Sequence, residues 1–280
     1  MTELQTVLRG LAFGESPRWH DGRLFVSDWG AHEVLAIEPD GSSRVAASVA
    51  SFPLCLDFAV DGRMLLVSSS DRAVLRQEAD GSLSRYADLS GHSEHPWNDI
   101  VVDGRGNAYV NTIGFDFPAG DFGPGTVVLV TPDGAVREVA DGLAFPNGMA
   151  VLSDGATLVV AESYAHRLTA FDIADDGSLV NRRVWAEVGE HSPDGICADS
   201  DDAIWYADVA SRRCVRVTEG GAVLASIELD RGCFACVLGG SDRRTLYMVT
   251  NLWGGTGFDP AARNSVVLAT RVEVAGAGHP

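Results

Sequence analysis

The sequence has no long run of apolar residues. No stretch approaches the ~20 residues that a helix needs to cross a bilayer. The N-terminal segment MTELQTVLRG has neither the basic start nor the apolar centre of a secretory signal. We therefore expect a cytoplasmic protein that does not insert into membranes.

Basic residues are scarce. The chain has 21 Lys and Arg against 39 Asp and Glu, which gives a formal net charge of −18. A surface this negative repels phosphate backbones and anionic lipids, so we expect neither nucleic acid nor a membrane as partner. The charge favours solubility and would also attract a cation, and it leaves the oligomeric state open.

Cysteine is also sparse, and its number is odd. Five scattered cysteines favour free thiols in a reducing compartment. Cys233 and Cys236 form a CxxC inside the apolar run CFACVLGG, without the helix start of a redox motif or the second ligand pair of a zinc site. We interpret both as buried structural thiols.

Several catalytic motifs are missing from the sequence. It contains no G-x-S-x-G elbow, no HExxH and no glycine-rich phosphate loop. Serine hydrolases, metalloproteases of that type and nucleotide-binding enzymes are therefore disfavoured.

What the chain has in quantity is turns, and the turns repeat. Aspartate-centred turns recur at intervals of about 40–50 residues, and each is followed by a short β-rich run such as RLFVSD or TLVVAES. A repeat of this length with four short strands is typical of a propeller blade. We predict an all-β, six-bladed β-propeller with four antiparallel strands per blade, as a single domain over residues 1–280. The C-terminal run completes three strands of the last blade, and LQTVL near the N-terminus is expected to add the fourth and close the ring.

Oxygen-donor side chains recur at one position of this repeat. A few residues before the first turn, where the innermost strand of a blade begins, the chain has Glu15, Asn98, Asn147 and Asp194. Four blades would bring these side chains together at one mouth of the central channel. Two carboxylates and two amide oxygens suit a hard divalent cation, and clustered carboxylates repel each other without one. We predict one divalent ion here, Ca²⁺ first, with Mg²⁺, Mn²⁺, Zn²⁺ or Fe²⁺ as alternatives.

The same segments resemble a known family. FGESPRW, WNDIVVDGRGNAYV, FPNGMAVLSDGATLVVAES and SPDGICAD are similar to the family of gluconolactonases, regucalcin (senescence marker protein) and luciferin-regenerating enzyme. The resemblance covers almost the whole chain and implies that Glu15, Asn98, Asn147 and Asp194 bind the metal. It also implies a lactonase, with Asp194 as general base. One departure is Pro96, since sugar-lactonase members carry an arginine at this position, two residues before the first metal asparagine.

Two long loops are expected at the metal-bearing mouth. IGFDFPAGDFGPG in blade 3 and NLWGGTGFDPAARN in blade 6 are rich in glycine and aromatic residues and would face each other across the ring. The candidates for substrate binding are His95, Asn111, Phe115, Phe117, Phe122, Asp208, Trp253 and Phe258. His95 would alternatively be a proton shuttle or a solvated loop residue. Arg18 is expected near the channel, packed against acidic neighbours.

The leading hypothesis is metal-assisted opening of a small lactone or other ester, with a substrate less polar than a simple aldonolactone. The ion would act as a Lewis acid on the ring carbonyl, and Asp194 would take a proton from the attacking water. One alternative is a metal-free condensing enzyme of the strictosidine-synthase type, which shares a motif like FPNGMAVLSDG and for which Glu162 is the candidate. A non-enzymatic calcium- or ligand-binding propeller is the other.

Overall fold

A computed structural model describes residues 3–38, 40–252 and 259–278. Nearly all of the regular structure in these ranges is β-strand, and the only helix in them is a 3₁₀ turn at Pro260–Ala262. The first twelve strands are β1 Gln5–Leu11, β2 Gly14–His20, β3 Arg23–Asp28, β4 Glu33–Ile37, β5 Ser43–Ser48, β6 Leu54–Phe58, β7 Met64–Ser68, β8 Ala73–Gln77, β9 Leu83–Asp88, β10 Trp97–Val102, β11 Ala108–Thr112 and β12 Gly125–Val130. The second twelve are β13 Val136–Leu143, β14 Pro146–Val151, β15 Thr157–Glu162, β16 Arg167–Ile173, β17 Leu179–Glu187, β18 Pro193–Ala198, β19 Ile204–Asp208, β20 Arg213–Val217, β21 Val223–Glu228, β22 Gly232–Gly239, β23 Thr245–Asn251 and β24 Ser265–Arg271.

These strands form six sheets of four antiparallel strands each, arranged as a propeller. Blades 1 to 5 take consecutive strands, from β2-β3-β4-β5 to β18-β19-β20-β21, and blade 6 has the order β22-β23-β24-β1. The first strands of neighbouring blades contact each other around the central channel. The predicted six-bladed propeller is confirmed.

The N-terminal strand closes the ring. Strand β1 pairs antiparallel with β24, so that Gln5 lies opposite Ala269 and Leu11 opposite Ser265. The last blade is thus completed by both ends of the chain, and the first and last parts of the sequence are joined by backbone hydrogen bonds.

The aspartate-centred turns connect the first and second strands of each blade, as the repeat predicts. At Asp21-Gly22 both residues have positive φ, 47° and 76°, which is the conformation of a tight hairpin turn. Blade 3 differs in detail, because its left-handed residue is Gly106 and not Gly104.

The hydrophobic core consists of six clusters, one at each interface between neighbouring blades. A blade is covered on both faces, so its strands are apolar on both sides and lack the alternation of a half-exposed sheet. The interface of blades 5 and 6 contains Cys197, Cys214, Cys233 and Cys236, all buried free thiols. This agrees with a structural role for the CxxC. Within the described ranges, no helix has the length and apolar character that a bilayer crossing requires.

Candidate metal centre

The four predicted ligands occupy equivalent places in four blades. Each is the second residue of the innermost strand: Glu15 in β2, Asn98 in β10, Asn147 in β14 and Asp194 in β18. These strands begin at the same mouth of the channel, so the four side chains meet there.

A break in strand pairing accompanies every one of these residues. The register between first and second strand shifts at Glu15/Arg18, Trp97/Asp99, Pro146/Met149 and Pro193/Ile196. In blade 2, which supplies no ligand, the corresponding pairing of β6 with β7 is regular. Bulges redirect side chains and are frequent next to active sites, and here they turn the ligand positions toward the channel.

The glycines that follow two of the ligands are required by close packing. A Cβ on Gly148 would lie 2.5 Å from the backbone nitrogen of Ile196, and one on Gly195 would lie 2.6 Å from the Cβ of Ala235. Only glycine lets the innermost strands approach this closely. Asn147-Gly148 and Asp194-Gly195 are therefore part of the channel architecture, whereas Asp-Gly pairs elsewhere in the chain mark turns.

Three of the four predicted ligands line one narrow cavity, and the fourth is hydrogen-bonded to them. Glu15, Asn98 and Asn147 border this cavity. The Nδ2 of Asn98 donates to the Oδ1 of Asn147 at 3.2 Å, and Asn147 also hydrogen-bonds Asp194. The Nδ2 of Asn147 donates to Ser163 Oγ at 3.4 Å, which orients its amide oxygen toward the neighbouring ligands. The structure thus brings the predicted set together.

Backbone geometry beside Glu15 is unusual. Ser16 is buried and has φ of 46°, a left-handed conformation that is uncommon for residues other than glycine. Its backbone N–H donates to Oε2 of Glu15 at 2.7 Å. Strained residues of this kind cluster at functional sites, and this one fixes the carboxylate of Glu15.

Ionisation of Glu15 and Asp194 is unfavourable in the protein without a bound cation. Burial raises the pKa of Glu15 to about 8, and it raises the pKa of Asp194 well above its usual value. The negative charge of Glu15 raises the pKa of Asp194 further. A divalent cation between them would stabilise both in the charged form.

The donor set fits a hard divalent ion. It combines two carboxylates with two neutral amide oxygens, which are the ligand types that Ca²⁺ and Mg²⁺ prefer. Among residues 3–38, 40–252 and 259–278, no group of three or more His, Cys, Asp or Glu is placed to hold a metal. The candidate centre therefore depends on its two asparagines.

Deeper in the channel, Arg18 is paired with two other buried carboxylates. Its guanidinium lies 3.2 Å from Asp99 and 3.7 Å from Asp57, and its side chain is only 6% exposed. The second carboxylate oxygen of Asp99 accepts the backbone N–H of Met149 at 3.0 Å. The expectation that Arg18 packs against acidic neighbours holds, and the group links blades 1, 2, 3 and 4.

Two residues predicted to bind substrate are placed behind the ligands instead. The Asn111 side chain is fully buried: it donates to the carbonyl of Asn147 at 2.6 Å and accepts the N–H of Asp99 at 3.1 Å. Asp208 is also fully buried and lies 3.0 Å from Nδ1 of His191. Both predictions of substrate contact are corrected, because these polar groups are used to hold the backbone and the loop before Asp194.

The blade 3 loop forms an aromatic cluster with blade 4. Phe115 is buried at its centre, and its ring lies 5.6–5.9 Å from those of Phe122, Phe145 and Tyr164. Phe117 packs edge-on against Phe145 at 5.3 Å. We call these five residues the blade 4 cluster. Phe117 and Phe122 are about half exposed at the mouth, whereas burial of Phe115 corrects the prediction that it contacts substrate directly.

The remaining residues that were predicted to bind substrate at the mouth are His95, Trp253 and Phe258. His95 is partly exposed, and its Nδ1 lies 3.2 Å from Asp116 in the blade 3 loop. Trp253 and Phe258 fall outside the described residues, together with the rest of 253–258 in the predicted wall from blade 6.

Sequence reasoning missed a second aromatic group. Phe13, Trp29, Phe52 and Phe234 pack together with ring centroids 5.1–6.3 Å apart, and Trp29 lines the same cavity as the ligands. We call these residues the blade 1 cluster. Its members are far apart in the sequence. Three of them, Phe13, Trp29 and Phe52, flank strand ends at the mouth with the predicted ligands, and this position was the signal that could have found them.

Glu162, the candidate for metal-free chemistry, is committed to structural contacts. It is fully buried, lies 2.9 Å from Arg167 and accepts the N–H of Ala144 at 2.7 Å. Burial raises its pKa, but the bonds from Arg167 and its neighbours outweigh this and leave the pKa lowered. An ionised carboxylate with this many donors is a structural anchor.

The fold and the candidate site together define the chain as a six-bladed propeller with carboxylate and amide side chains at one end of its channel. Comparison with known families agrees with this description. The family model described as SMP-30/gluconolactonase/LRE-like region matches residues 13–251, and the chain belongs to this family.

Individual relatives and solved structures include hydrolases and a cation-binding protein. The chain is 26% identical to 6-deoxy-6-sulfogluconolactonase of Pseudomonas putida, over 95% of this chain and 94% of that protein. It is 29% identical to diisopropyl-fluorophosphatase of Loligo vulgaris, over 54% of this chain and about half (53%) of that relative's length. The fold matches the solved structure of a calcium-binding protein, regucalcin from Agrobacterium tumefaciens, with a TM-score of 0.85, 20% identity and coverage of 100% and 97% of the two chains.

Proposed function

We propose that this protein is a divalent-metal-dependent hydrolase that opens a small lactone. The observation that carries the proposal is the carboxylate pair of Glu15, which is buried, and Asp194, which is partly buried, at one channel mouth beside two asparagine amides. The nearby cation, Arg18, is engaged by Asp57 and Asp99. Membership of a family whose matched relatives include a sugar lactonase supports the ester-hydrolysing chemistry.

In the proposed reaction, different residues would bind the metal, accept a proton and position the ligands. Glu15, Asn98, Asn147 and Asp194 would hold the ion, which supplies Lewis acidity for an ester carbonyl. Asp194 would also accept a proton from the attacking water, because its carboxylate lies at the mouth beside the other ligands. Asn111 and Ser163 would keep Asn147 in place through the bonds described above.

The expected substrate is less polar than a simple aldonolactone. Pro96 stands where sugar-lactonase relatives are expected to carry an arginine, and its ring offers no hydrogen-bond donor to a sugar hydroxyl. Half-exposed aromatic side chains occur at the same mouth. Loss of one charged hydrogen bond costs ~1.5–3 kcal/mol, or roughly tenfold to a hundredfold in rate.

The test combines metal analysis with a substrate panel. Elemental analysis of the purified protein should show about one divalent ion per chain. Removal of the ion by a chelator should abolish lactone hydrolysis, and its return should restore the rate. In a pH-stat assay, alkyl- and aryl-substituted lactones should give kcat/KM about tenfold to a hundredfold above gluconolactone, as the lost hydrogen bond implies.

Three outcomes would contradict this proposal in different ways. Full metal occupancy without turnover of any lactone would favour a non-enzymatic cation-binding propeller. Turnover that survives chelation would remove the metal from the chemistry. Gluconolactone as the best substrate of a broad panel would overturn the assignment of a less polar substrate.

A further inference from the structure

Blade 6 repeats the architecture of the ligand positions without supplying an oxygen donor. The pairing of β22 with β23 shifts between Cys233 and Ala235, so Phe234 is bulged as the ligand positions in the other blades are. Gly195 directly follows Asp194 in the sequence, and a Cβ on Gly195 would lie 3.0 Å from the backbone carbonyl oxygen of Phe234. The fold therefore places Phe234 at the position in blade 6 that corresponds to the ligand positions of four other blades, with its backbone next to Gly195.

Phe234 is one end of a continuous row of four aromatic rings, in which Phe234 and Phe13 are buried. Its ring meets Phe13 edge-on at 5.1 Å, and Phe13 stacks on Trp29 at 5.6 Å with an interplanar angle of 29°. Trp29 in turn meets Phe52 at 5.4 Å. Phe52 is 45% exposed, so the blade 1 cluster extends from the ligand level to the open mouth.

Trp29 has a polar group that the described protein does not satisfy. Its Nε1 is buried and has no hydrogen-bond partner among the residues in the described ranges. Buried indole N–H groups usually find an acceptor. Trp97 and Trp205 also have none among the described residues, but neither of them lines the cavity of the ligands. Because Trp29 lines the cavity together with Glu15 and Asn98, an oxygen of a bound ester is a suitable acceptor.

The blade 4 cluster is less well placed for this role. None of its five described residues borders the cavity that contains the ligands, whereas Trp29 does.

We propose that the blade 1 cluster binds the hydrocarbon substituent of the substrate, and that the indole N–H of Trp29 donates a hydrogen bond to an ester oxygen. The preferred ligand is then a lactone with an alkyl or aryl substituent on its ring. This proposal rests on the proposed function for the ester chemistry, while the apolar subsite can be measured without turnover.

The experiment compares two matched variants, Phe52→Ala and Phe122→Ala. Both remove a half-exposed phenyl ring, one from the blade 1 cluster and one from the blade 4 cluster. The ligands are lactams with alkyl substituents of increasing length, which resist hydrolysis, titrated calorimetrically into the metal-loaded protein. The matching lactones are assayed in parallel.

The parent protein should gain roughly threefold to fourfold in affinity per buried methylene, since each contributes ~0.8 kcal/mol. Phe52→Ala should flatten this dependence on chain length, whereas Phe122→Ala should keep it. Trp29→Phe keeps an aromatic ring but removes the N–H, so it should weaken every member of the series about fivefold, the effect of one neutral hydrogen bond.

Each other outcome overturns a stated part. If Phe122→Ala flattens the dependence and Phe52→Ala does not, the substituent binds at the blade 4 cluster. If affinity is independent of chain length in the parent protein, there is no hydrocarbon subsite. Unchanged binding in Trp29→Phe removes the hydrogen bond. Binding of lactams with the predicted pattern but no lactone turnover would reject the proposed hydrolysis and leave the subsite intact.

Discussion

The central channel contains two groups of buried carboxylates, and they differ in how their charge is balanced. In the deeper group, Arg18 lies between Asp57 and Asp99. At the mouth, Glu15 and Asp194 face two asparagine amides, which are neutral, and burial raises the pKa of both carboxyl groups. One group has a cation of its own, whereas no Lys, Arg or His among the described residues forms an ion pair with Glu15 or Asp194.

The difference teaches how one channel supports both stability and function. A buried ion pair compensates its own desolvation only if its geometry is good, and it then holds neighbouring elements together. The Arg18 group does this between blades. The mouth group has no such partner, so its two carboxyl groups resist ionisation, and a divalent cation between them would favour their charged forms.

The largest expected effect is loss of the metal on removal of one mouth carboxylate. Asp194→Ala removes a charged ligand from a set that has only two, so tight binding of the divalent ion should disappear. Metal content by elemental analysis and a calorimetric titration would measure this. Asp116→Ala, which removes an exposed carboxylate from the same mouth, should keep one ion per chain. Full occupancy in Asp194→Ala would show that the ion binds elsewhere.

The next effect is on stability, and it tests the deeper group. Arg18→Met leaves Asp57 and Asp99 buried without their cation, and breaking such a pair costs about 3–5 kcal/mol. Urea unfolding should show this loss. Arg23→Met is the matched control, because its pairing with Glu38 at 2.8 Å is about one-third exposed and should contribute ~1 kcal/mol or less. Equal losses in the two variants would contradict the contrast between the groups.

Much of the fold could be predicted from the sequence, because the repeated residues follow from the physical requirements of turns and buried strands. Tight turns need left-handed residues, so aspartate-centred turns, most of them Asp-Gly, recur where the first and second strands of a blade meet. Strands between two blades must be apolar on both faces, which the runs TLVVAE and AIWYAD already show. The predicted closure of the ring by the N-terminal strand is confirmed by its pairing with β24.

Of the candidate site, only the four predicted ligands could be identified from the sequence. Glu15, Asn98, Asn147 and Asp194 share a position in the repeat, and this signal is local. Asn111 and the blade 1 cluster depend on which side chains meet across blades, and no spacing in the sequence reports that. Asn111 and Asp208 are buried and do not face the mouth as predicted. A polar residue at a strand end can bond to neighbouring protein groups as readily as to a substrate, and the sequence does not distinguish the two.

The smallest of the expected effects distinguishes two roles of Asp194. Asp194→Asn keeps an oxygen donor and resembles the asparagines already in the site, so saturating metal should restore occupancy. The amide cannot accept a proton, and general base catalysis contributes ~10²–10⁴-fold. We therefore expect kcat at saturating metal to remain at least roughly a hundredfold below that of the parent protein.

Asn98→Asp provides the matched comparison, since it changes a ligand by the reverse step. The added charge should tighten the ion and reduce its Lewis acidity, while the carboxylate of Asp194 stays available as the base. A metal titration of both variants, with a lactone that the parent protein turns over, separates binding from rate. Near-parental kcat in Asp194→Asn would leave Asp194 as a ligand only. The search for the base would then move to His95, which is partly exposed at the same mouth and lies 3.2 Å from the carboxylate of Asp116.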